Sequence, residues 1–243
     1  DLLFDDDRVL NLSDIKRKNI TGNKIVNRIS IEGDLAYLSC GFGVVVLDLV
    51  RREIKDTYYI SAANTGSDVN DVVMDGTFLY AAAEDGIYRA SLTDPFISNY
   101  SAWTKIISDT NDQGGFNQAL LFNGVLFFNY NRSSGDSLMG YNGNWGYPLP
   151  LVMQGTSAKL SLRVENSLLY LTESFGVSVF DASLNRIRYI DGTVVPGPDF
   201  SDGVEDASGN AWIAEKSRGL LKVTGSLYEK MQPEGPNSSL SSA

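Results

Sequence analysis

A turn-and-strand unit recurs along this chain with a period near 43 residues. Tyr37, Tyr80, Phe127, Tyr170 and Ile213 head equivalent segments spaced 43, 47, 43 and 43 residues apart. Turn chemistry precedes each anchor: Glu32-Gly33-Asp34, Asp75-Gly76, Asn123-Gly124, Glu165-Asn166 and Ser208-Gly209-Asn210. Asp-Gly and Asn-Gly between apolar runs favour hairpins, because both central residues need positive φ. Six residues after four of the anchors stands a glycine, at Gly43, Gly86, Gly176 and Gly219. Each opens a further apolar run, such as Val44-Val45-Val46-Leu47 or Leu220-Leu221-Lys222-Val223.

Each unit therefore reads as four short antiparallel strands. In the first full unit they fall near Ile25–Ile31, Leu35–Ser39, Val44–Asp48 and Arg52–Tyr59. No long stretch keeps a helical period. Four strands per repeat is the pattern of a propeller blade. A single blade cannot cover both of its faces, so blades stack face to face around an axis. A β-sandwich also has regularly spaced strands, but its turn chemistry does not recur. The expected fold class is all-β: a β-propeller over residues 1–232, with about five four-stranded blades at 25–60, 68–108, 116–150, 158–191 and 200–232. Residues 1–22 read as a partial N-terminal blade, so an incomplete or truncated ring is expected. Residues 233–243 read as a linker or disordered tail.

Composition narrows the chemistry. The 243 residues include no His and one Cys, with 20 basic and 30 acidic side chains giving a net charge of −10. Without His there is no Ser-His-Asp or Cys-His catalysis and no His-based zinc site. Cys40 has no partner for an internal disulfide and sits in a strand pattern, where packing is its expected role. The negative charge, with no basic cluster beyond Lys16-Arg17-Lys18, argues against nucleic acid or an anionic membrane as partner. No apolar run approaches the roughly 20 residues of a membrane-spanning helix. The chain does not begin with Met, so the lack of a visible signal peptide carries no information about compartment.

Candidate site residues follow from topology. Strands alternate in direction, so the second-to-third strand loop and the link to the next unit leave on one face. The period breaks twice, and both breaks are assigned to that face. The connection from Leu92 to Gly115 is long and carries Phe96, Tyr100 and Trp103; the run from Asn131 to Ser137 carries Arg132 and Asp136. Loop insertions gathered on one face are where scaffolds place recognition, with tolerated drift as the alternative. Trp145 and Tyr147 read as a stacking shelf for a sugar or peptide, or as packing between blades. Asn27, Asn70 and Asn117 each stand ten residues before an anchor, at the start of an innermost strand. Turn-capping is their expected role, with lining of a polar channel as the alternative.

Catalytic and metal motifs are weak. Asp109-Thr110-Asn111-Asp112-Gln113-Gly114 has the front of a calcium loop, but Leu120 stands where the twelfth-position Glu belongs. Asp206 to Trp212 partly matches a sialidase Asp box, with Val204 in place of Ser or Thr. No carboxylate pair is singled out by spacing, and no phosphate loop is present. The reading is a protein that is not an enzyme and uses no cofactor or metal.

Two resemblances carry further expectations. Glu205-Asp206-Ala207-Ser208-Gly209-Asn210-Ala211-Trp212-Ile213-Ala214, followed by Gly219-Leu220-Leu221-Lys222, resembles the two-component-regulator propeller repeat. The run from Asn11 to Asn23, on through Val44-Val45-Val46-Leu47-Asp48-Leu49, is similar to the PorZ-like family of N-terminal propellers, as is the run from Asp94 to Trp103. This second likeness implies a non-enzymatic scaffold of the type IX secretion machinery. It implies export to the periplasm or outer-membrane surface of a Bacteroidetes-type bacterium. It also implies secretion partners including a sortase, an assembly that handles lipopolysaccharide, and a larger parent chain. The first implies the ligand-sensing propeller of a hybrid two-component system that recognises an oligosaccharide. A propeller glycosidase is the third reading. No functional residue of either family maps one by one onto this sequence.

Overall fold

The computed structural model describes residues 23–61, 67–108, 115–131, 135–145 and 160–224, together with short strands at 4–5, 9–10 and 227–230. Strands β1 (Phe4–Asp5) and β2 (Val9–Leu10) pair with each other. Five antiparallel sheets follow in chain order. Blade 1 is β3 (Val26–Glu32), β4 (Leu35–Cys40), β5 (Gly43–Asp48) and β6 (Glu53–Tyr58). Blade 2 is β7 (Val69–Met74), β8 (Phe78–Ala83), β9 (Gly86–Ser91) and β10 (Thr104–Ser108). Blade 3 is β11 (Gly115–Phe122), β12 (Val125–Asn131) and β13 (Ser137–Tyr141), extended by a bridge from Tyr141 to Trp145. Blade 4 is β14 (Leu160–Glu165), β15 (Leu168–Glu173), β16 (Gly176–Phe180) and β17 (Arg186–Ile190). Blade 5 is β18 (Phe200–Glu205), β19 (Ala211–Glu215), β20 (Gly219–Thr224) and β21 (Leu227–Lys230). This is the all-β blade architecture that the repeat leads one to expect, except that blade 3 has three full strands among the described residues. Blades 1–3 form one compact unit and blades 4 and 5 a second.

The hairpins form where turn chemistry allows. Asn123 and Gly124 join β11 to β12 with φ of 47° and 77°, the two positive values a tight two-residue turn needs. Asp75 closes a longer turn by accepting the N–H groups of Thr77 and Phe78, each at 2.8 Å.

Core residues come from both faces of the middle strands. Val44, Val45, Val46 and Leu47 of β5 are all buried, because Val44 and Val46 pack towards blade 2 while Val45 and Leu47 join Leu38 and Cys40 on the other face. A strand covered on both faces loses the apolar-polar alternation of a half-wet sheet. In blade 2, Ala81 and Ala83 face blade 1, while Ala82 joins Phe116, Leu126 and Phe128 towards blade 3. Small side chains at these positions let neighbouring sheets approach closely. In the second unit, Val177 and Ile190 of blade 4 pack against Phe200, Ile213 and Leu221 of blade 5.

The first strands carry a recurring device. Register shifts fall at Asn27 in β3, Asn70 in β7 and Asn117 in β11, and a bulged residue is left out of the ladder. The Asn27 amide donates to the Val69 carbonyl at 2.8 Å, and the Asn70 amide to the Phe116 carbonyl at 3.0 Å. Val69 and Phe116 directly precede the next Asn in each case. Asn27 and Asn70 therefore staple one blade to the following one instead of capping turns, while Asn117 accepts from the Asn129 amide at 2.8 Å within its own blade.

Candidate functional site

The long connection of blade 2 is not where topology from sequence placed it. Thr104–Ser108 pairs with β9 as a fourth strand, so the insertion is residues 92–103, between the third and fourth strands. It leaves on the side of the first-to-second strand hairpins. The β12–β13 connection, which carries Asp136, leaves blade 3 at the opposite end of its strands. The proposed single recognition face is corrected accordingly.

The insertion is held by its own backbone. Asp94 accepts the Phe96 N–H at 2.8 Å, and Asn99 caps a 3-10 turn at Tyr100–Ala102 by accepting from Ser101 at 3.0 Å. Ile97 and Trp103 turn inward, 9% and 7% exposed. The Trp103 indole N–H donates to the Ile97 carbonyl at 2.8 Å, and its ring meets Tyr58 at 6.4 Å. Trp103 is thus a core residue rather than part of a binding surface. Phe96 and Tyr100 point outward, 69% and 49% exposed.

The insertion lies along the outer strand of blade 1, where a groove of about 680 Å³ is lined by Lys55, Thr57, Tyr59, Ser61, Asn99 and Tyr100. An outermost strand is open to pairing with another chain unless its edge is blocked. Here the Thr57 N–H donates to its neighbour's carboxylate, Asp56 Oδ1, at 2.7 Å, and the Tyr59 N–H to the Ser98 carbonyl at 3.1 Å. These edge donors are already used. The groove therefore offers ligands side chains: two amphipathic tyrosine rings, hydroxyl and amide groups, and one charge of each sign.

The remaining aromatic candidates divide. Trp145 packs with Tyr141 (4.6 Å between ring centroids) and Phe128 (6.0 Å), inside the seam between blades 2 and 3. Asp136 accepts the Leu160 N–H at 3.0 Å. Arg132, Tyr147 and the calcium-like run from Asp109 to Gly114 lie outside the described residues.

The polar groups that the structure assembles are ones the sequence did not single out. Asp71 of β7, 1% exposed in its side chain, takes the Arg28 guanidinium of blade 1 at 3.1 Å and the Ala119 N–H of blade 3 at 2.8 Å. It also accepts the Val72 N–H at 2.9 Å. Burial pushes its carboxyl up to about 6, against the pull of Arg28 and the two N–H groups. In the second unit Arg163 and Ser161 of β14 meet Asp202 of β18 in the same way. The detectable signal was the shared register: Asp71 and Asp202 are each the third residue of a first strand. At the blade 2 turn, Asp85 accepts from Tyr88 at 2.6 Å, and from Ser67 and Lys105. These carboxylates are occupied by structural donors. Cys40 is buried, and burial pushes its thiol up to about 11, away from the reactive thiolate. No group of three or more metal-ligating side chains occurs among the described residues.

Residues 1–104 match the family model of the PorZ N-terminal β-propeller domain of type IX secretion. Among solved structures, PorZ of Porphyromonas gingivalis, an essential bacterial surface component of its type IX secretion system, superposes with a TM-score of 0.61 at 25% identity. That match covers 86% of this chain and 26% of PorZ. The extracellular domain of a putative hybrid two-component system from B. thetaiotaomicron gives 0.64 at 12% identity, over 96% of this chain and 32% of that one. The extracellular domain of a putative one-component system from the same organism gives 0.58 at 13%, over 86% and 28%. The last two likenesses are of fold alone. This chain spans about a quarter to a third of these structures. No curated protein matches it in sequence. The chain is thus similar to PorZ in its amino-terminal part and shares a propeller fold with it and with these extracellular domains.

Proposed function

We propose that this chain is a non-enzymatic binding and scaffold propeller of an exported surface complex, within a type IX secretion and attachment assembly. The observation that carries this reading is the likeness to PorZ over 86% of the chain at 25% identity. The groove beside the blade 2 insertion supplies a surface for a protein partner. Tyr100 lines it, and Phe96 is exposed on the same loop, which internal hydrogen bonds rigidify so that less entropy is lost on binding. The partner expected is a secretion component such as a sortase.

Affinity capture with the tagged full-length parent protein from its native host tests this. Recovery of secretion or sortase partners by the wild type, with loss in the Phe96→Ala/Tyr100→Ala double variant, is the expected result. Recovery of no such partner counts against the scaffold reading. Equal recovery by the double variant removes the groove from it.

A second reading is a glycan-sensing propeller, motivated by the hybrid two-component neighbour that spans 96% of this chain. The parent sequence separates the two: a membrane span followed by a kinase segment supports sensing, and a second propeller supports the secretion scaffold.

A further inference from the structure

Blades 2 and 3 enclose a second recess, of about 300 Å³, at the hairpin end of their seam, lined by Asp75, Phe78, Tyr80, Arg89, Leu126 and Tyr141. Arg89 is the feature that sets it apart. Three arginines among the described residues are half-buried: Arg89, Arg188 and Arg218. Arg188 pairs with Glu205, and Arg218 with Glu215 at 3.2 Å. Arg89 has no such carboxylate partner among the described residues. Its guanidinium lies 4.5 Å above the Phe78 ring and hydrogen-bonds the Tyr80 side chain, contacts that hold one side of the fork and leave the rest facing the recess. A desolvated, oriented guanidinium suits a planar carboxylate in two-pronged contact.

The one acid in the recess does not fill this role. Asp75 Oδ1 holds the N–H groups of Thr77 and Phe78, and Oδ2 takes the Tyr80 hydroxyl at 2.8 Å. Burial acts to raise the Asp75 carboxyl, but these donors outweigh it and hold it below its usual range. It therefore remains an anion, bound to its own turn. With Arg89 it leaves the recess without net charge, so a second charge on a ligand gains little attraction and still has to be desolvated. Leu126 and the rings of Tyr80 and Tyr141 make the remaining walls apolar.

We propose that this recess binds a monoanionic carboxylate on an apolar or aromatic stem, with the Arg89 fork on the carboxylate and the stem between Leu126 and Tyr141. The site is separate from the groove beside the blade 2 insertion and does not depend on the function assigned there.

Trp145 packs on Tyr141 with its ring tilted 40° and so reports on the recess through its indole N–H resonance. Phenylacetate added to the ¹⁵N-labelled protein is expected to shift that resonance saturably, while phenylacetamide of the same shape leaves it in place. Phenyl phosphate as the dianion is expected to bind at least about tenfold more weakly than phenylacetate. Arg89→Met, which keeps an unbranched stem over Phe78, is expected to weaken phenylacetate at least about tenfold. N-acetyl-phenylalanine and its C-terminal amide extend the comparison. Tighter binding of the free acid than of phenylacetate identifies a peptide C-terminus as the source; equal or weaker binding identifies a small carboxylic acid. The proposal is overturned if phenylacetamide matches phenylacetate, if the dianion binds as well, if a folded Arg89→Met binds as wild type, or if no saturable shift occurs by about 20 mM. If Arg89→Met does not fold, the acid-amide comparison in the wild type decides.

Discussion

Two aspartates show how the same side chain serves opposite purposes here. Asp206 is a turn residue. The Trp212 indole at 2.9 Å, the Asn210 amide and the N–H groups of Ser208 and Asn210 hold its carboxyl far below the usual range. A carboxyl lowered in the folded state stabilises fully above its unfolded pKa, and that contribution is lost as pH falls through the folded value. The Trp212 Nε1–H resonance is therefore expected to stay still as pH is lowered to about 3.5, and to move only below that. A midpoint near the ordinary Asp value would show that the carboxylate is not held by these donors. Asp71 is a junction residue whose carboxyl is raised by burial. Its stabilising contribution is complete below the unfolded pKa of about 4 and declines as pH rises through about 6. Replacing it with Ala orphans the Val72 and Ala119 N–H groups and strips Arg28 of its partner. Asp71→Ala is expected to lower stability by about 2–4 kcal/mol at neutral pH in equilibrium urea unfolding, and to flatten the slope between about pH 4 and 6.

At the level of the strand, one glycine register has several physical causes. Gly43 and Gly86 open third strands with φ of +142° and +151°, and the carbonyls of Tyr58 and Ile107 on the fourth strands sit where a Cβ would be. Gly176 instead leaves room for the Tyr189 ring, while Gly219 has open space around it. Gly86→Ala is therefore expected to destabilise by at least about 2 kcal/mol, since it adds a clash with backbone to an unfavourable φ. Gly76→Ala, at φ +89° with open space, should lose only about 1 kcal/mol. Equal losses in thermal or urea unfolding would refute the fourth-strand explanation. The same contrast divides the insertion of blade 2. Trp103→Ala removes a buried ring and its hydrogen bond and should lower stability by about 3–5 kcal/mol. Phe96→Ala and Tyr100→Ala, on exposed positions, should leave the unfolding midpoint within about 1 °C.

Across the whole chain, the two compact units use one inter-blade grammar: an Arg on a first strand reaches an Asp on the next first strand, as in Arg28–Asp71 and Arg163–Asp202. The first member of each pair is largely exposed, so attraction alone gives little, and the acceptor's bonds to backbone supply the rest. The net charge of −10 sets what the molecule meets at long range. Anionic vesicles or duplex nucleic acid at about 0.15 M salt are expected to give no retention in a co-sedimentation or gel-shift assay, and retention of either would require a basic surface that the charge pattern does not supply.

Repeat and blade were legible in sequence because hairpin chemistry is local. Positive φ at Asn123-Gly124 and the glycine that opens four of the third strands depend on residues a few positions apart, and period then counts the units. Roles that depend on partners far along the chain were not legible. Asn27 stands near the start of the first strand of its blade, as its position ten residues ahead of the anchor leads one to expect, but its acceptor lies on Val69, 42 residues away. The end of blade 2 at which the insertion leaves is not legible in sequence, because the strand Thr104–Ser108 is recognisable only by its pairing with Tyr88 and Arg89. Trp103, Phe96 and Tyr100 are alike as aromatic letters. Which of them faces water was decided by the Ile97 carbonyl, which the insertion's own turns bring round to the indole, and by Tyr58, which only packing between blades brings beside the ring.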